Sequence, residues 1–84
     1  AIESYKINNM PHFQIKLLEG KTEEQKQELA KAVVKAAQKV IGYGDESFSV
    51  TIEDFTWEEW KNNVYPKDII GSKDQLYKKP GYKM

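Results

Sequence analysis

The sequence predicts a small α+β domain built on a β-α-β unit, and three stretches support this prediction. Residues 12–18 alternate between polar and apolar side chains, which is the period of a half-buried strand. A long amphipathic stretch follows, and a second alternating run occupies residues 47–55. Strand, helix and strand in this order predict two parallel strands joined by a right-handed crossover helix.

The first strand and the crossover helix have clear local signals. Phe13, Ile15 and Leu17 share one face of the strand, and Gly20 is expected to end it. The helix is predicted to begin at a capping box, Thr22-Glu23-Glu24-Gln25, in which the Thr and Gln side chains bond the first backbone N–H groups. Gly42-Tyr43-Gly44 is the expected C-terminal stop. One apolar stripe is predicted along the helix, formed by Leu29, Val33, Ala36, Ala37, Val40 and Ile41.

The second strand leads into a predicted short helix. Phe48, Val50 and Ile52 face one side of the strand, and a second capping box follows at Thr56-Trp57-Glu58-Glu59. Trp57, Trp60 and Val64 fall on one helical face at i, i+3 and i+7.

Pro66 is expected to stop this helix, because proline lacks the N–H that an α-helix needs. Residues 67–84 contain Gly71, Pro80 and Gly81, and they are interpreted as a loop with turns. Since two strands do not form a stable sheet alone, further strands must come from this C-terminal part, from another subunit, or from both.

The composition limits the classes of function. The chain has 84 residues, no Cys and a single His, His12, so disulfides, thiolate metal sites and His-cluster zinc sites are excluded. No metal and no cofactor is expected. Thirteen basic and thirteen acidic residues cancel, which argues against nucleic-acid and membrane partners, and the Lys78-Lys79 pair is interpreted as solvated surface. Residues 1–9 lack the apolar region of a signal peptide, and a cytoplasmic location is expected.

The Met10-Pro11 pair ahead of the first strand is the main chemical feature. An internal proline has an inert amide nitrogen, whereas an N-terminal proline is a secondary amine that acts as a general base when its pKa is lowered. Taken alone, the pair favours an ordinary proline at a strand entrance. His12 is interpreted as a polar residue on the strand face opposite Phe13. Trp57 and Trp60 are either core residues of the second helix, the floor of an aromatic ligand pocket, or both.

Two motifs connect the sequence to a known family. The segment PHFQIKLLEGKTEEQK resembles the opening of the 4-oxalocrotonate tautomerase family, which begins with Pro and continues through a short strand, an "LEG" turn and a capped helix. The tail, with spaced tryptophans and a KKPGY ending, resembles the phenylenolpyruvate tautomerase-like subgroup. The resemblance covers residues 10–84, which are therefore expected to form one tautomerase-like domain. Residues 1–9 are expected to be a non-native extension, either vector-derived or translated from an upstream start.

The resemblance implies both an assembly and a mechanism. The β-α-β fold is expected to pair across a two-fold axis into a larger sheet, as a homodimer or, alternatively, a hexamer. Pro11, freed by removal of Met10, is expected to be the base of a cofactor-free tautomerase that moves a proton in a small enol or keto acid. With Met10 attached, the chain is expected to be inactive, since the Pro11 nitrogen is then an amide.

The chain departs from the family prototype at two substrate-binding positions. The prototype uses one arginine after the first strand and another on the second strand, and these positions correspond to Lys21 and Ser49. Loss of the second cation favours a monocarboxylate substrate with an aromatic or apolar tail, such as a phenylenolpyruvate-like compound. Trp57 and Trp60 are expected to wall the site, with Tyr77 and Tyr82 as further candidates. The alternative is a non-catalytic oligomeric scaffold or binding protein that keeps the fold.

Overall fold

Two parallel strands form the sheet of this protein in a computed structural model that describes residues 10–84. The strands are β1 (His12–Leu18) and β2 (Ser49–Phe55). At their beginnings the Ser49 N–H donates to the Pro11 carbonyl (3.2 Å), and at their ends the Glu19 N–H donates to the Phe55 carbonyl (2.8 Å). These two bonds require the strands to run in the same direction, so the predicted parallel pairing is confirmed. The expectation that residues 1–9 are an extension lies outside the described residues.

Side chains alternate over the first residues of each strand as the sequence predicts, but the alternation does not include Lys16 and Phe55, which are half-buried. Phe13 and Ile15 of β1 are half-buried, while His12 before them and Gln14 between them are exposed. Residues 50 and 52 of β2 are half-buried in the same way, and residues 49, 51 and 53 are exposed. One face of the sheet is therefore available to the helix, and the other face carries polar side chains toward solvent.

The crossover helix is α1 (Glu23–Ile41), and both of its ends have the predicted signals. The Thr22 side chain accepts from the Gln25 N–H (3.1 Å), and the Gln25 side chain accepts from the Thr22 N–H (2.9 Å). Gly42 ends the helix with a positive φ of 84°, a conformation that a side chain disfavours.

The predicted apolar stripe of α1 is only partly correct. Leu29, Val33 and Ala37 are half-buried, but Ala36 is exposed and Val40 is 83% exposed. No residue of α1 is fully buried. The last turn of α1 is therefore largely exposed to solvent.

The second helix, α2, begins as the α-helical turn Trp57–Glu59 and continues as the π-helical segment Trp60–Ile69. Its predicted capping box is present, with Thr56 and Glu59 bonding each other's backbone N–H groups. The expected stop at Pro66 is wrong, because Pro66 lies inside the helix. A π-helix pairs N–H groups with carbonyls five residues back, so the carbonyl that the proline ring meets in an α-helix no longer occupies that position.

The chain after α2 is more regular than the sequence predicts. Two 3₁₀ turns joined by a kink at Lys73 follow directly over Ile70–Gln75, so the expected loop is wrong over residues 67–75 and correct over residues 76–84. The C-terminal part contributes no strand within the described residues, because the sheet there has two strands. No helix within residues 10–84 is both long and apolar enough to cross a bilayer.

Backbone contacts divide the chain into two units, and each has its own packing. The described part of the first unit comprises residues 10–15 and Gly20–Glu53, and the second comprises Lys16–Glu19 and Asp54–Met84. In the first unit, Ala30 of α1 shares a groove with Val50 and Ile52 of β2, which places the helix on the apolar face of the sheet. In the second unit, Val64 of α2 is 3% exposed and is the one buried hydrophobic residue of the described chain.

Candidate functional site

Pro11 lies directly ahead of β1, and its ring is half-buried. Its carbonyl accepts the Ser49 N–H, which fixes the strand entrance against β2. Its nitrogen is bonded to the carbonyl carbon of Met10 and carries no basic lone pair in this form. Met10 is 64% exposed, so the Met10-Pro11 peptide bond lies beside a solvent-accessible side chain.

A polar cluster, formed by His12, Ser49 and Thr51, lies on the exposed face of the sheet next to Pro11. The His12 Nδ1 atom is 2.7 Å from the Ser49 hydroxyl, and its Nε2 atom is 3.5 Å from the Thr51 hydroxyl. Phe13 points to the other face and stacks on Phe48 with ring centroids 6.2 Å apart. His12 is therefore a polar residue opposite Phe13, as interpreted from the sequence, and its imidazole is paired with the Ser49 hydroxyl.

Lys21 follows Gly20 in the turn after β1 and is exposed. Gly20 has a φ of 115°, which a glycine adopts readily and which redirects the chain toward the cap of α1. Pro11 and Lys21 therefore stand at opposite ends of β1, whose seven residues span about 20 Å at the usual rise of a strand. Of the predicted site residues in the first unit, the structure brings Ser49 to Pro11 but does not bring Lys21 there.

A cavity of about 580 Å³ lies in the second unit, between the end of β1 and the C-terminal tail. Both predicted tryptophans line it, whereas Pro11 is not among its lining residues. Its remaining wall is mainly apolar, with three lysines: Lys16, Leu17, Leu18, Lys61, Tyr82, Lys83 and Met84. The volume and the aromatic lining are typical of sites that take a small organic ligand.

Aromatic contacts connect the tail to α2 at this cavity. The Trp60 indole N–H donates to the Tyr82 hydroxyl at 3.1 Å, and the Trp60 ring meets Phe55 edge-on with centroids 6.3 Å apart. Tyr82 also packs against Tyr65 at 5.8 Å. Tyr82 is thereby held from two sides, and it is the tail aromatic that lines the cavity, whereas Tyr77 is 97% exposed and does not.

Two of the lysines in the cavity wall have defined neighbours. Lys16 forms an ion pair with Asp68 and lies over the Phe55 ring, with its Nζ atom 5.5 Å from the centroid. Lys61 lies over the Trp57 ring at 5.3 Å. Among residues 10–84, no carboxylate forms an ion pair with Lys61.

Sequence reasoning missed Lys16 and Lys61 as cavity residues. Lys61 follows Trp57 by four residues, the spacing at which helical side chains meet, so this pair could have been found from the sequence. Lys16 had no such signal, because its partners Phe55 and Asp68 lie far along the chain.

Trp57 is less buried than the shared helical face suggests. It is 57% exposed, whereas Trp60 is half-buried and Val64 is buried. The exposed fraction therefore increases along one helix, from Val64 in the core to Trp57 in the cavity wall. Within the described chain, no group of three or more His, Cys, Asp or Glu residues could hold a metal ion.

Comparison with known proteins gives a consistent result. A family model described as "Tautomerase enzyme" matches residues 11–64, more than half of the chain, and the match begins at Pro11. The chain is 37% identical over 73 residues to a "Probable tautomerase" of Xylella fastidiosa, covering 87% of this chain and 89% of that protein.

Two further relatives have more specific names. The chain is 35% identical over 74 residues to "Tautomerase PptA" of Pectobacterium carotovorum, covering 87% of this chain and 97% of the relative. It is 40% identical over 45 residues to a "2-hydroxymuconate tautomerase" of Bacillus subtilis, covering 54% of this chain and 73% of the relative.

Proposed function

We propose a function from the premise that this chain belongs to the tautomerase family. It is an isomerase that interconverts the enol and keto forms of a small organic acid without a cofactor. The Pro11 nitrogen, freed by removal of Met10, is the general base. The observation that carries this assignment is that the family match begins at Pro11 and at no earlier residue.

The chemistry requires one group that both accepts and returns a proton. The proline amine takes the hydroxyl proton of a 2-hydroxy enol acid, and the electrons of the O–H bond form the carbonyl. The electrons of the C=C bond then take the proton from the prolinium at the third carbon, which gives the 2-oxo acid. Pro11 is half-buried, and burial in general disfavours the charged form of an amine, which is the form that cannot accept a proton.

The proposed substrate is a monocarboxylate with an aryl or apolar tail. The prototype's second cation is replaced by Ser49, whose hydroxyl contacts His12, so a second carboxylate would find no cation there. The cavity beside Trp57 and Trp60 supports an aryl tail, since aromatic walls favour an aromatic ligand. Lys21 remains a proposed contact for the substrate carboxylate.

Assembly is part of the proposal. The strand between Pro11 and Lys21 is about 20 Å long, so one copy of the chain cannot place both residues at one small substrate. A second copy would supply the missing group, and the sheet, which has two strands within the described residues, would become larger. We propose that this assembly is a homodimer.

Enzyme assays on a chain that starts at Pro11 test the proposal. The loss of absorbance of an aryl enol acid measures ketonisation, and Pro11→Ala should lower kcat/KM by about 10²- to 10⁴-fold, the usual contribution of a general base. Lys31→Gln, a change on the exposed side of α1, is the matched control and should leave kcat/KM unchanged. Equal rates for the parent chain and the alanine variant would refute Pro11 as the base.

A non-catalytic scaffold is the second candidate, and the hydroxyl at position 49 favours it. If the chain starting at Pro11 converts none of a series of aryl, alkyl and dicarboxylate enol acids, while its fold and its oligomeric state are intact, the scaffold function is the better one.

A further inference from the structure

We infer that Lys61 is the carboxylate-binding residue of the cavity in the second unit, and that this cavity takes an aryl carboxylate. The cavity joins an aromatic wall to a cation: Trp57, Trp60 and Tyr82 line it together with Lys61. The Lys61 Nζ atom lies 5.3 Å from the centroid of the Trp57 ring, so the cation is positioned directly against the aromatic wall. A ligand with a ring at one end and a negative charge at the other matches this pair of features.

The other two lysines of the wall are less suited to the role. Lys16 is already paired with Asp68 and lies over Phe55, so a ligand carboxylate would compete with a carboxylate in place. Lys83 is exposed in the tail, and within residues 10–84 its ammonium group forms no hydrogen bond or ion pair. Lys61 has a defined position on α2 and, within residues 10–84, no ion-pair partner. Its charge is therefore available to an incoming anion.

Part of the aromatic wall is exposed and can contact a ligand. Trp57 is 57% exposed and Tyr82 is 45% exposed, although both belong to residue types that usually bury most of their surface. Trp60 is held by its bond to the Tyr82 hydroxyl and by its edge contact with Phe55. A flat ring placed against Trp57 would cover apolar surface without displacing these contacts.

Lys61 would hold the substrate carboxylate in place of Lys21 if the cavity is the substrate pocket, and in this respect the inference rests on the proposed function. Binding itself does not need a free Pro11 amine. The experiment therefore uses the chain with Met10 attached, in which the proposed catalysis is absent, so that failure of binding and failure of catalysis are separate results.

Tryptophan fluorescence reports the cavity directly, because both tryptophans of the chain line it. The probes are 3-phenylpropanoate and its neutral amide, 3-phenylpropanamide, which share a ring and a chain and differ in charge. The parent protein should bind the acid more tightly than the amide, and added salt should reduce the difference. Lys61→Gln should weaken acid binding about fivefold, as expected for a part-exposed ion pair of about 1 kcal/mol, and should leave amide binding unchanged.

Three further variants complete the test. Lys61→Arg should restore the preference for the acid, because it keeps the charge, and Lys31→Gln on α1 should behave like the parent protein. If Lys61→Gln weakens the acid and the amide equally, Lys61 only supports Trp57 and the inference is wrong. It is also wrong if Lys83→Gln removes the preference for the acid while Lys61→Gln keeps it, or if the parent protein does not distinguish the two probes.

Discussion

Val64 provides the sharpest prediction about stability. Its side chain is 3% exposed at the centre of the second unit, and Val64→Ala removes two methyl groups from that position. Burial contributes about 0.8 kcal/mol per methylene-sized group, and the vacated space adds to the loss, so the free energy of unfolding should fall by about 2 kcal/mol. Urea denaturation followed by tryptophan fluorescence should detect this as a midpoint about 1 to 2 M lower, given an m-value of about 1 to 2 kcal/mol/M for a small domain.

Val40 provides the matched control for the same substitution. It is 83% exposed near the end of α1, so Val40→Ala removes little buried surface and exchanges valine for a better helix former. Its expected effect is a stabilisation of no more than about 0.5 kcal/mol, opposite in sign to that of Val64→Ala. Both variants should be measured at one protein concentration, because assembly makes stability concentration-dependent. Equal losses at the two positions would refute the assignment of Val64 as the core of the second unit.

Three further predictions concern the site. Trp60→Phe keeps a ring but removes the N–H that bonds Tyr82. It should weaken the binding of aryl carboxylates severalfold, as measured by titrating the fluorescence of the remaining tryptophan. Unchanged affinity would show that the Trp60–Tyr82 hydrogen bond does not support binding. Ser49→Arg places a bidentate cation on β2 and should raise kcat/KM for a dicarboxylate enol acid at least tenfold relative to a monocarboxylate, whereas an unchanged ratio would mean that this position does not face substrate. Dilution to a single chain, followed by sedimentation, should lower specific activity, and full turnover by the monomer would contradict the proposed shared site.

Local sequence signals predicted most of the fold. The two capping boxes, at Thr22 and Thr56, form as expected because each depends on residues three positions apart. The alternation gave the correct exposure over residues 12–15 and 49–53 for the same reason, since a strand repeats every two residues.

The errors in the fold come from effects that a local pattern does not contain. Pro66 was expected to end α2, but the helix has π-type bonding and continues to Ile69. The stripe on α1 includes Val40 on the basis of periodicity, yet periodicity does not specify how far the sheet extends beneath the helix. Both outcomes depend on the packing of each unit.

Some residues of the candidate site could likewise be predicted from local patterns, and others could not. Residue type and spacing identified Trp57 and Trp60, and the structure places both on one cavity. The role of Tyr82 required the fold, because its contact with Trp60 joins residues 22 positions apart. Lys16 likewise meets Asp68 across 52 positions. Contacts between residues so far apart in sequence follow from the tertiary fold, which no local motif specifies.

Catalysis by Pro11 requires a free N-terminal nitrogen, and activity measurements on two forms of the chain examine this requirement. Two preparations differ by a single residue, one starting at Pro11 and one starting at Met10, with the N-terminal mass of each verified. We expect enol–keto conversion by the first preparation and a loss of about 10²-fold or more in kcat/KM for the second, because Met10 converts the proline amine into an amide. Equal kcat/KM for the two preparations would contradict the account, since catalysis would then not require a free nitrogen on Pro11.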